Sequence, residues 1–203
     1  MIPFLFLAAA FAAPPEGYTL QKETDDCVLF AGPPNAQGIA PMYAECHWPD
    51  VDPEKLQELL GVWDAYDKYI SAIESCRIVK IEGSRTLVHQ LQTAPAISDR
   101  EVVVWMEKIP VEGGFRFTWQ NDPSEPLDIA KGNIRPPKNA GFWEVTAHPE
   151  SGSFVQHQVT YDPGGRVPAW LVRTFSVSGL AGVMSDVRGL AKAKSLASDD
   201  QQP

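Results

Sequence analysis

Few residues of this 203-residue chain are spaced for chemistry, and the best placed lie near its end. The four histidines, His47, His89, His148 and His157, show none of the spacings with which a helix or hairpin offers two imidazoles to one metal. Cys46 and His47 are adjacent, and neighbours on a strand point to opposite faces, so the two do not share a ligand. The chain has no C-x-x-C, H-E-x-x-H, G-x-S-x-G, P-loop or G-x-G-x-x-G. Zinc, thiol-redox, nucleophile-elbow and phosphate-cradle chemistry therefore lack their motifs, and neither a metal nor a cofactor is expected. What remains is proton transfer between strands, for which His157, Tyr161 and His89 are the candidates.

Those residues need strands to position them. Residues 154–161 alternate apolar with polar, the pattern of a half-buried strand. Asp162-Pro163-Gly164-Gly165 follows as turn chemistry, and Pro168 suits the first turn of a helix running to about Ala197. Upstream, residues 26–32 and 39–48 read as two short strands. Asp52-Pro53-Glu54 then opens a helix, with Asp as cap, Pro at the first position and an acid near the positive dipole end. Leu56, Leu59, Leu60 and Trp63 recur at helical spacing, and Gly61 divides this piece from a second holding Tyr66, Tyr69 and Ile70. Six further strands are expected at 74–82, 85–93, 100–109, 115–121, 141–148 and 153–161. Most of their links are hairpin-like, so the sheet should be antiparallel. The Pro-rich stretch 122–139 reads as a loop over the surface or over an opening. The layout is α+β, with a curved sheet able to wrap the final helix.

Composition bounds the partners. A 44% hydrophobic and 21% charged chain is ordinary for one globular domain. A net charge of −9 and a pI of 4.9 argue against a nucleic-acid partner, and weaken docking on anionic membranes. Residues 1–12 are uncharged and resemble the apolar region of a secretory signal, with Ala10-Phe11-Ala12 as a cleavage pattern. Export, periplasmic or secreted, is the expectation, with 13–25 as a lead, 26–197 as the domain and 198–203 as a flexible tail. A buried N-terminal strand or a misassigned start is the alternative. Of the three cysteines, Cys27 and Cys46 can join if their strands pair; the plainer reading is three small buried hydrophobes.

Five pieces in this order resemble one family. They are Asp52-Pro53-Glu54-Lys55-Leu56 with Trp63 and Tyr66; Arg77-Ile78-Val79-Lys80 leading into Thr86-Leu87-Val88-His89-Gln90; Ser98-Asp99-Arg100-Glu101-Val102-Val103; Gly141-Phe142-Trp143-Glu144-Val145; and Asp162-Pro163-Gly164-Gly165-Arg166-Val167-Pro168-Ala169-Trp170-Leu171-Val172. Together they resemble the START lipid-transfer domains, within the helix-grip superfamily (SRPBCC) that also holds polyketide cyclases and plant allergens. The resemblance covers about 26–196. It implies a helix-grip fold, in which the sheet and C-terminal helix enclose a hydrophobic tunnel for one lipid or sterol. The family's cross-cavity acid–arginine pair falls on Gln90 and Met106, and its terminal motif Asn on Arg173. A sterol or phosphocholine cargo is therefore not implied.

Strand parity selects the wall of such a cavity. Glu101 and Glu107 place Val103 and Trp105 outward, leaving Val102, Val104 and Met106 inward. By the same alternation Phe115, Phe117 and Trp119 face in, as do Trp143 and Val145, and Val155, His157, Val159 and Tyr161 share a face. From the last helix Val172, Phe175, Gly179, Val183 and Leu190 fall at compatible spacing. The ligand-binding set expected is thus Val102, Val104, Met106, Phe117, Trp119, Trp143, His157, Tyr161, Val172, Phe175 and Gly179. Pro163, Gly164, Gly165 and Pro168 would be the hinge of the lid. For any one inward aromatic plain core is the commoner role, for His157 a hydrogen-bonded core position, and for Arg100 a salt bridge or loop anchor rather than a head-group clamp. Arg166, Arg173, Arg188, Lys192 and Lys194 make the helix basic, as a solvated face or a transient membrane-docking one. The expectation is a monomeric, non-enzymatic binder of a lipid or other hydrophobic small molecule. The alternative is a cyclase- or aromatase-type enzyme acting on a polyketide-like substrate.

Overall fold

The computed structural model describes residues 14–93, 97–122, 125, 127–165, 167 and 169–199; within the last helix the side chains of 169–176 and 197–199 are outside the description. The signal-like segment 1–12, Pro168, Arg166 and part of the tail lie outside the described residues. The strands are β1 (Thr19–Glu23), β2 (Cys27–Ala31) and β3 (Met42–Trp48), followed by helix α1 (Pro53–Leu60) and a 3-10 helix over Trp63–Lys68. Then come β4 (Ile73–Glu82), β5 (Arg85–Gln92), β6 (Arg100–Val111), β7 (Gly114–Asn121), β8 (Lys138–Ala147), β9 (Ser153–Asp162) and helix α2 (Ala169–Asp199). Among the described residues these nine strands form one antiparallel sheet in the order β1-β2-β3-β9-β8-β7-β6-β5-β4. The α+β expectation and the six late strands hold.

β1 was not expected. It lies inside the stretch read as a lead and pairs with β2 at the sheet edge, where all five of its residues are exposed. Without a buried face there is no apolar alternation to announce a strand. In β2 and β3, Cys27 and Cys46 are register partners and form a disulfide, while Cys76 is free.

Asp52 caps α1, its Oδ1 accepting from the N–H groups of Glu54 (2.8 Å) and Lys55 (3.0 Å). Two otherwise unpaired N–H groups are satisfied, so Asp52→Ala is expected to cost about 1 kcal/mol in a urea titration. Leu56, Leu59 and Leu60 are buried. Gly61 ends the helix, and two phenols close its last turn: Tyr66 donates to the Leu60 carbonyl (2.8 Å) and Tyr69 to that of Leu59 (3.3 Å).

α2 buries Leu180, Met184, Val187 and Ala191, a stripe at spacings of four, three and four residues. That stripe is offset by one position from the expected Gly179, Val183 and Leu190. Its second half is fastened to the rest of the domain. Arg188 pairs with Asp26 and with Asp50 (3.1 Å), and Lys192 with Asp50 (2.7 Å). Ser71 donates through its N–H and hydroxyl to Asp186, and the Asp52 N–H donates to Ser195 Oγ. Of the five cations read as a solvated or membrane-docking face, Arg188 and Lys192 are therefore engaged within the protein and Lys194 has a partner too, while Arg166 and the Arg173 side chain lie outside the described residues.

Candidate functional site

A pocket of about 340 Å³ lies between one face of the sheet and α2. The strands bring inward positions to it by their two-residue period: Met42 from β3, Gln90 from β5, Val104 and Met106 from β6, Trp119 from β7, and Trp143 from β8. β9 adds His157, Val159 and Tyr161, and α2 adds Gly179, Leu180 and Val183. Tyr66, Ile70 and Ile73 cover a further side.

Of the expected contacts, Val104, Met106, Trp119, Trp143, His157, Tyr161 and Gly179 therefore meet at one pocket. Val102 and Phe117 are buried in the core and do not reach its surface. Phe117 lies beneath Gly61, at the end of the sheet that α1 covers. The side chains of Val172 and Phe175 are outside the described residues. Met42, Tyr66, Ile70, Asn139 and Leu180 line the pocket without having been singled out. Parity would have selected Asn139 had β8 been read from its observed start at Lys138; Met42 lay inside the strand expected at 39–48, whose faces were not assigned.

His157 is wedged between two indoles, with ring centroids 3.9 Å from Trp143 and 5.4 Å from Trp119. Its Nδ1 is buried and has no hydrogen-bond partner. Burial drives its pKa down to about 3, against a weaker upward pull from the Phe142 backbone. Burial pushes the Tyr161 phenol the other way, up to about 12, with Arg100 opposing and Asp162 adding to the rise. Trp119 Nε1 donates to Asn139 Oδ1 (2.8 Å).

His89 is not part of this group. It meets Glu101 at 2.8 Å on the opposite face of the sheet. Glu101 points away from the pocket as parity requires, yet it is buried, because the loop near residue 130 folds over it. Burial pushes its carboxyl up, but the Ala130 N–H, Asn133 and His89 together hold it below the usual range.

Of the positions expected to hinge the lid, Pro163, Gly164 and Gly165 lie in the turn after β9. Gly164 and Gly165 have φ of +64° and +69°, where any side chain is strained. Asp162 Oδ1 accepts from the Gly164 N–H (2.9 Å), closing an Asx turn. Arg100, buried at the start of β6, donates from Nε to the Pro163 carbonyl (3.3 Å), from Nη2 to that of Gly164 (3.4 Å) and from Nη1 to that of Ser98. The anchoring role expected of Arg100 is thus met with carbonyls, not with an acid. Pro163 and Val167 line the pocket as well.

No family model matches the chain. An uncharacterized protein of Pseudomonas aeruginosa is 25% identical over 128 residues, which are 63% of this chain and 63% of that protein, so the chain spans less than two thirds of it. Among solved structures, the STAR-related lipid transfer protein of Xanthomonas axonopodis matches with a TM-score of 0.77 at 18% identity, over 87% of this chain and 99% of the other. Human STARD10 matches with a TM-score of 0.78 at 15% identity, over 92% and 77%. The di-domain ARO/CYC StfQ from the steffimycin biosynthetic pathway matches more loosely, with a TM-score of 0.57 at 12% identity over 81% and 53%. The fold is that of a START-like domain, the helix-grip arrangement expected from the five sequence pieces.

Proposed function

We propose that the protein binds one lipid or similar hydrophobic molecule in the pocket under α2 and passes it on when that helix opens. The observation that carries this reading is the pocket itself, with mostly apolar walls from strands β3 to β9 and α2, and a few polar groups. Each methylene withdrawn from water there contributes about 0.8 kcal/mol, so a chain of modest length suffices for micromolar binding. The likeness in fold to lipid-transfer proteins supports the reading.

In this reading the half of α2 from Asp186 to Ser195 stays in place during opening, fastened by the Ser71, Asp26, Asp50 and Asp52 contacts. Export is part of the proposal, supported by the Cys27–Cys46 disulfide, since such bonds persist outside a reducing cytosol.

Native mass spectrometry of the purified protein tests the reading: a co-purifying hydrophobic molecule at one per chain is expected. Gly179 supplies the matching variant. A Cβ added there meets nothing within 4 Å, and the position lines the pocket. Gly179→Leu is expected to weaken binding at least tenfold while leaving the thermal midpoint unchanged or raised, because glycine disfavours a helix interior by about 1 kcal/mol. Full binding by this variant would move the site elsewhere.

The cyclase-type alternative rests on His157 and Tyr161 sharing one wall and on the likeness to an ARO/CYC protein. Their electrostatics weigh against it. A histidine near 3 is a poor base at neutral pH and a phenol near 12 a poor acid, whereas efficient groups titrate near the working pH.

A further inference from the structure

Arg100 is a buried cation on the pocket wall, only 3% exposed. Its three acceptors are neutral carbonyls, those of Ser98, Pro163 and Gly164. A guanidinium has five N–H donors, so two remain. Among the described residues no carboxylate forms a salt bridge with it; Asp162, beside the turn, accepts from the Gly164 N–H. A charge taken from water costs several kcal/mol unless an opposite charge or a full set of hydrogen bonds compensates it.

The groups beside it are also donors. Tyr161 and Asn139 are register partners on β9 and β8, and both face the pocket. Tyr161 stays protonated, with its pKa near 12, and its environment includes the Arg100 charge. Asn139 Oδ1 is already taken by Trp119, which leaves its Nδ2 donors. A cation, a phenol and an amide thus line the pocket, and among the described residues no carboxylate does; Asp162, whose charge acts on Tyr161, lies outside that lining.

We propose that the ligand is an anionic amphiphile, a hydrocarbon chain ending in one carboxylate or phosphate oxyanion, and that Arg100, Tyr161 and Asn139 bind that end. This rests on the lipid-binding reading above and specifies its head group. The chain then lies along the apolar wall toward Met106 and Trp143, and the charged end sits beside the turn that leads into α2.

Tryptophan fluorescence of the full chain reports binding directly, since Trp119 and Trp143 line the pocket. The probes are tetradecanoic acid, tetradecyl phosphate, tetradecanol and methyl tetradecanoate, each below its micelle concentration. Either oxyanion is expected to bind at least tenfold tighter than the alcohol and the ester, and the tighter of the two identifies the head group. Equal binding of acid and ester overturns the assignment but leaves a lipid pocket. Binding by none of the four overturns the lipid reading and the head-group assignment with it. Arg100→Gln should abolish the preference for the acid over the ester. If that variant fails to fold because the hinge is lost, the wild-type ligand series still decides.

Discussion

Acidification from pH 7 to pH 4 is expected to destabilise the folded protein by about 3 kcal/mol through His157 alone. The imidazole is buried between Trp119 and Trp143, and its pKa falls from 6.5 to about 3. In the unfolded chain it takes up a proton near pH 6.5; in the folded chain it does not until near pH 3. Between those values the unfolded state holds one more proton, so stability falls as the pH falls, by about 1.4 kcal/mol per unit. Below pH 3 both states are protonated and the loss levels off. Urea denaturation at pH 7, 6, 5 and 4 measures the slope. His157→Leu should flatten it by one proton over that window, whatever the other titrating groups do. Parallel curves for the two proteins would show that the imidazole is solvated or paired in the native state.

The second large effect is Phe117→Ala, expected to cost roughly 3–5 kcal/mol. Phe117 is fully buried on the inner face of β7, opposite Trp143 in register and close to Gly61 at the end of α1. Strand neighbours on both sides and a helix above leave little that can collapse into the space. For a chain of this length each kcal/mol moves the midpoint by about 2–4 °C, so a drop on the order of 10 °C should appear in calorimetry. Because the ring does not reach the pocket, ligand affinity at a temperature where the variant is folded should stay within about twofold. A larger loss of affinity would place Phe117 on the wall after all.

How far the sequence reveals this molecule differs from element to element. In β6 the alternation of Val102, Val104 and Met106 with Glu101, Val103 and Trp105 fixed both the strand and its inward face, since a period of two permits nothing else. The turn Asp162 to Gly165 was equally plain, because two glycines after an Asx residue have few other uses. β1 was hidden for want of a buried face. In α2 the glycines at 179, 182 and 189 blur the apolar stripe, which is why among the described residues it runs through Leu180 and Met184 rather than Gly179 and Val183. Glu101 was assigned the right face but the wrong exposure, because the loop that covers it is distant in sequence. The donor cluster of Arg100, Asn139 and Tyr161 was legible in part: Tyr161 and Arg100 were candidate contacts, while Asn139 lay before the strand expected from 141. Its members come from three strands; register pairs Asn139 with Tyr161, and hydrogen bonds to the Pro163 and Gly164 carbonyls hold Arg100 beside them.

β9 lies between β3 and β8, and this has a consequence for how the chain comes to be folded. Met42 pairs with Val159 and Trp48 with Ser153, contacts that span about a hundred residues and carry the loop-closure cost that slows folding. Until β9 emerges, β1 to β3 form a meander with one open rim, and β4 to β8 form another. During synthesis both rims expose unpaired N–H and C=O groups to other chains at the same stage. The last strand is thus the keystone of the assembly. Truncation before residue 153 should yield two aggregating halves rather than a smaller domain.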